Sequence, residues 1–96
     1  MPPMSNATRT TALIRTYVEN PDRRALVDNP ATTLRDLGLD TIARVGLATD
    51  IEDAFGITLL DEMHAWGSVG DVIDCVQRAV RALALDDLMA NDGELA

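Results

Sequence analysis

From Val69 to Leu83 the apolar residues recur every three or four positions: Val69, Val72, Ile73, Val76, Val80 and Leu83. That period matches one face of an α-helix and no β-strand, so it constrains the fold more than any other feature of the chain. Ser68-Val69-Gly70-Asp71 in front of it has the form of a capping box, with Asp in place of the usual Glu. Arg78 and Arg81 are expected near the helix end, where cations suit the dipole.

Three further segments carry helical spacing. Leu13, Ile14, Tyr17 and Val18 predict a helix from about Ala7 to Glu19, stopped by Asn20-Pro21 because proline biases its predecessor away from helix. Ile42, Val45, Ala48, Ile51 and Phe55, with Leu47 beside them, predict a helix over Asp40 to Phe55 that Gly56 ends. A short helix is expected from about Leu60 to Trp66, closed by Gly67. The stretch Asn20 to Leu39 is long for a connection in a compact domain. Asn20-Pro21-Asp22 can open an extra turn there, with Leu26, Val27, Leu34 and Leu37 expected to anchor the segment on the core. No segment alternates as a strand does. The expected class is all-α: three longer helices and a short third one, with a long loop between the first two.

Ninety-six residues suit a single domain. The expected division is a loose N-terminus at 1–6, a helical domain at 7–85 and a loose acidic tail at 86–96, with Leu85, Leu88 and Met89 able to extend the last helix. The composition is 47% hydrophobic but only 3% aromatic, so the core must be aliphatic. Residues 1–49 sum to +1 and residues 50–96 to −9, and all eight basic residues are arginine. Such a surface repels nucleic acid and anionic lipid and favours basic protein partners. Cys75 stands alone, which excludes an internal disulfide and any Cys-x-x-Cys site. No apolar run approaches the roughly 20 residues that cross a bilayer, and no signal-peptide pattern is visible. A cytoplasmic monomer is expected.

The order of these segments resembles one family closely. Leu34, Leu37-Gly38-Leu39-Asp40, an amphipathic helix closing on Phe55-Gly56-Ile57, a short acidic helix and the Ser68 to Ile73 helix start are similar to the acyl carrier proteins, over roughly residues 10–82. The resemblance implies a carrier-type four-helix bundle that catalyses nothing itself. It also implies a 4′-phosphopantetheine arm whose thiol carries an acyl group as a thioester, in fatty acid, other lipid or polyketide-type biosynthesis. The implied partners are a phosphopantetheinyl transferase and acyl-transferring or synthase enzymes.

The family's attachment motif is Asp-Ser-Leu, and the matching residues here are Asp40-Thr41-Ile42. Thr41 is thus the candidate attachment point, with Asp40 starting the helix and orienting the loading enzyme. A secondary hydroxyl with a methyl on the same carbon attacks the coenzyme A pyrophosphate less readily than a serine, and β-branching restricts its χ1. Slower loading follows, since a displacement of about 1 Å can cost on the order of 100-fold. An alternative reading is a degenerate carrier fold that acts as a protein-interaction module without a prosthetic group.

By the same resemblance, Ile42, Val45, Ala48, Ile51, Phe55, Leu59, Met63 and Trp66 are candidates to border an acyl groove and partner face, with Arg44 adding a positive charge one turn after Thr41. The early exposed acids of the family's second helix are missing. Asp50, Glu52 and Asp53, with Asp61 and Glu62, keep the acidic character later on. Gly46 is open to two readings, close approach by a partner or a tolerated surface defect. Trp66 is expected partly buried, His64 on the surface, and Cys75 in a packing role. Asp50 and Glu52 followed by Asp61 do not make a calcium loop, because Ala54 and Phe55 stand where a ligand and the turn glycine belong.

Overall fold

The computed structural model describes residues 5–59 and 62–86 in full and the backbone of residues 87–95. Helix α1 spans Asn6–Thr16, the one-turn α2 spans Pro21–Arg24, α3 spans Thr41–Phe55 and α4 spans Val69–Leu95. Two 3₁₀ turns, Ala25–Asp28 and Glu62–Ala65, complete the order. This is the expected bundle of three longer helices with a short one before the last. Among the described residues the only β-type pairing is an isolated bridge between Thr33 and Ser68.

The helix ends follow local chemistry. Ser5, expected in a loose end, is the N-cap of α1, and its hydroxyl accepts the Thr8 amide at 3.1 Å. The other end of α1 comes earlier than Glu19: Tyr17 is the C-cap, and the Val18 amide turns to the Arg15 carbonyl in a tighter 3₁₀-type bond. Val18 is thereby buried, and its carbonyl accepts Arg24 Nε at 3.0 Å. Asn20 caps α2 as its position before Pro21 predicts, through the Asp22 amide. Val27 is fully buried, but Leu26, expected as a second anchor, is 45% exposed because a 3₁₀ turn presents only one of these neighbours to the core.

The capping box at α4 forms completely. Asp71 Oδ2 accepts the Gly67 and Ser68 amides at 2.9 and 3.0 Å, while the Asp71 amide donates to Ser68 Oγ at 3.2 Å. From there the helix runs on to Leu95, where a loose tail from 86 was expected, since no glycine or proline interrupts it between Gly70 and Gly93. Arg78 and Arg81 accordingly sit mid-helix rather than at its end. Leu83 is 42% exposed, so the apolar stripe outruns the core it faces. The side chains of Leu88 and Met89, and all of Leu60 and Asp61, lie outside the described residues.

The core is aliphatic, as the composition requires. Ile14 from α1, Val18 just after it, Leu47, Ala48 and Ile51 from α3, and Val69, Val72 and Val76 from α4 are all essentially inaccessible to water. Burying each of the larger of these contributes roughly 1.5–3 kcal/mol. The long connection is sealed to the start of α4: the Leu34 amide donates to the Gly67 carbonyl at 3.0 Å, and the Val69 and Gly70 amides donate to Thr32 and Pro30 carbonyls at 2.9 Å.

Gly46 answers neither of its two readings. The Tyr17 ring lies on it, so close that a Cβ at Gly46 would stand 3.1 Å from both Cε1 and the hydroxyl oxygen. The Tyr17 hydroxyl donates to Asp50 Oδ2, a bond that, ahead of burial and charge repulsion, raises its pKa to about 12. The missing side chain lets α1 and α3 approach, and Asp50 holds the ring in place.

Gly46→Val is expected to destabilise the fold by about 1–3 kcal/mol, an overpacking cost that exceeds the helix propensity gained. In a Tyr17→Ala background the cost should largely vanish. Urea denaturation followed by the fluorescence of Trp66, the lone tryptophan, measures both.

The Asp71 carboxyl is held below its ordinary value by the Gly67 and Ser68 amides. A depressed folded pKa contributes stability that is present above the unfolded value and is lost as pH falls through the folded one. Asp71→Asn should therefore be less stable than the parent at pH 7, and the two denaturation curves should converge in strong acid.

Candidate functional site

Leu34, Leu37 and Leu39 are buried and fix a turn that delivers the chain into α3. Gly38 takes φ +78°, a left-handed conformation that glycine adopts without strain. The Leu39 amide closes back on the Leu34 carbonyl at 3.0 Å, and Arg23 Nη1 donates to the Asp36 carbonyl at 3.0 Å. Asp40 then serves as N-cap in extended conformation, its Oδ1 accepting the Ala43 amide at 2.8 Å.

Thr41 is the first helical residue and is exposed. Among the described residues its hydroxyl has no hydrogen-bond partner, and neither the Thr41 nor the Ile42 amide has an acceptor. A helix start with unsatisfied amides carries partial positive charge and favours an anion beside it. An outward hydroxyl on that turn has the donor set and the room that a phosphodiester link demands. On this test the residues present fit a phosphopantetheine group.

The other candidate residues separate into two sets. Ile42 is 83% exposed and Val45 43%, so both lie on the outer surface beside Thr41. Ala48, Ile51, Leu59, Met63 and Trp66 are packed into the core, and Phe55 is half-buried under the Arg9 guanidinium, 4.3 Å from its ring centre. The apolar residues of α3 thus face two directions rather than forming one stripe. Trp66 is more buried than expected, at 3% exposure, and its Nε1 has no partner among the described residues.

Arg44 is not a free surface charge. Its Nε donates to the Leu39 carbonyl and its Nη1 to the Trp66 carbonyl, both at 3.2 Å, which clasps the start of α3 to the segment before α4. Several acids are engaged internally as well. Asp50 accepts from Tyr17, Glu52 Oε2 accepts the Leu59 amide at 2.6 Å, and Glu62 Oε2 accepts the Cys75 thiol at 3.0 Å. Burial, and then the Glu62 carboxylate, push that thiol above its ordinary range. Cys75 packs, as expected, and His64 is exposed.

Sequence reasoning did not reach Tyr17 or Arg23. Tyr17 gave only a helical period, and no spacing rule couples it to Gly46 and Asp50. Among the described residues, two cavities lie in this region, and Trp66, a candidate groove residue, lines the larger of them. One of about 800 Å³ runs along α4 past Trp66 and Cys75. The other, of about 430 Å³, is bordered by Asp40 and Ala43 on either side of Thr41 in sequence.

An all-helical bundle with an exposed hydroxyl at a capped helix start has the form that a carrier-type domain requires. A family model described as "Phosphopantetheine attachment site" matches residues 12–76, which include Asp40, Thr41 and Ile42. The chain belongs to this family. Its domains carry cargo rather than catalyse, its prosthetic group is 4′-phosphopantetheine, and its members interact with transferases and synthases. No curated protein and no solved structure matches the chain.

Asp40→Ala should lower the stability of the protein by about 1 kcal/mol through loss of the α3 cap. Asp40→Asn, which keeps an accepting oxygen, should retain most of it. Equal losses in urea denaturation would show that the contribution of Asp40 is its charge and not its cap.

Proposed function

We propose that Thr41 is the attachment residue, and that the chain carries acyl groups for lipid or polyketide-type biosynthesis. The observation that supports this most is the exposed, unpartnered Thr41 hydroxyl at the first turn of α3. When bound, the arm supplies a thiol that holds an acyl group as a thioester. The protein's own part is to hold the tether. Asp40 and the leucine turn fix where the hydroxyl stands, the first-turn amides of α3 favour the phosphate, and Arg44 keeps that turn seated on the body of the bundle.

Partner enzymes, a phosphopantetheinyl transferase first among them, meet the surface beside Thr41. There Ile42 and Val45 provide apolar contact, while Asp50 and Asp53 are the exposed acids on the later part of the helix. With Arg44 and Glu52 half-buried and Asp50 bonded to Tyr17, contact on this face depends on shape and apolar area as well as on charge.

A second reading is an interaction module without a prosthetic group. The branched alcohol and the internal use of these charges favour it.

Intact mass separates the two. The protein is incubated with coenzyme A and a broad-specificity phosphopantetheinyl transferase, alongside Thr41→Ser and Thr41→Ala. The carrier reading expects one arm on the parent, faster loading of the serine variant, by up to about 100-fold, and none on the alanine variant. A bare parent protein, both in this assay and when isolated from its own host, would establish the module instead.

A further inference from the structure

The pocket beside Asp40 has a lining unlike the core. Its polar members are Tyr17, Glu19, Asn20, Arg23 and Asp40, and its apolar ones are Leu37, Gly38 and Ala43. Donors and acceptors are both available. Arg23 uses Nη1 on the Asp36 carbonyl, and its remaining N–H groups have no partner among the described residues. Asn20 gives its Oδ1 to the Asp22 amide, which leaves its NH₂ group as donor. Glu19 has no recorded bond among the described residues and is an acceptor, as is the second oxygen of Asp40.

This mixture selects a ligand class. A fatty chain would strand the guanidinium and the carboxylates without water or partners. A free phosphate or carboxylate would meet Glu19 and Asp40, two like charges against one arginine. A neutral chain of amides, alternating C=O and N–H, matches it: carbonyls suit Arg23 and Asn20, and N–H groups suit Glu19. Gly38, in its left-handed conformation, lies beside the Arg23 guanidinium at the pocket wall.

The geometry points to this pocket as the docking place of the amide-bearing part of an arm held at Thr41, with Arg23 and Glu19 as its recognition residues. The inference rests on the reading of Thr41 as the attachment residue. Asp40 and Ala43, on either side of Thr41 in sequence, line the pocket while Thr41 itself does not, so a tether leaving Thr41 reaches it by passing Asp40. Ala48, Ile51, Leu59, Met63 and Trp66 are buried, and the exposed Ile42 and Val45 side chains offer a chain of amides no hydrogen bond.

The test compares amide spectra of ¹⁵N-labelled protein with and without the arm. Thr41→Ser is used for loading if the native threonine stays bare, so that failure to load bears on the attachment residue and failure to dock bears on the pocket. The expected result is a change at the Asn20, Arg23 and Gly38 amides, with nuclear Overhauser contacts from the arm's methyl groups to Leu37 and Tyr17. Arg23→Gln combined with Glu19→Gln, both at exposed positions, should abolish the Gly38 change while the remaining spectrum stays folded. Changes confined to residues 41–45, contacts to Ile42 and Val45, or contacts to Trp66 and Ala79 in the α4 cavity would each overturn the proposal.

Discussion

The turn before α3 depends on the seal between the long connection and the start of α4. Three amide bonds, from Leu34, Val69 and Gly70, join Pro30 to Leu34 with Gly67 to Gly70. A Cβ on Gly70 would stand 3.1 Å from the Pro30 carbonyl oxygen, so the approach requires the glycine. With that edge fixed, Leu34, Leu37 and Leu39 are buried and the left-handed Gly38 has one way to turn. Asp40 then falls where its carboxylate caps α3. The position of Thr41 is thus set by contacts that it does not itself make.

Much of this architecture was readable in the residues. The capping box at Ser68 to Asp71, the Asn20-Pro21 start of α2 and the Gly56 end of α3 are local signals, decided by atoms within a few positions of one another, and each took the expected form. The apolar period placed α3 and α4 within a residue at their starts. What could not be read depends on which side of a helix meets which neighbour. Ile42, Val45, Ala48 and Ile51 share a spacing but not a surface, because α1 and the 3₁₀ turn before α4 pack against one side of α3. Leu26 and Val27 are adjacent in sequence, and only the 3₁₀ geometry decides between them. The backbone of α4 continues past residue 86 to Leu95, as Leu85, Leu88 and Met89 allow, and no proline or glycine between Gly70 and Gly93 ends it earlier.

The candidate site divides along the same line. The Leu37 to Ile42 motif identified the turn and its hydroxyl. The surrounding charges were assigned to partners because composition cannot show where a charged group is directed. The structure uses Asp50 to hold a tyrosine, Glu52 to hold a backbone amide and Glu62 to accept a thiol.

Arg44 joins two places distant in sequence. One guanidinium spans the Leu39 carbonyl, two residues before Thr41, and the Trp66 carbonyl, two residues before the α4 capping box. The entrances of the two longest helices therefore share one planar donor group, so a change that displaces either carbonyl costs the guanidinium its fit to both.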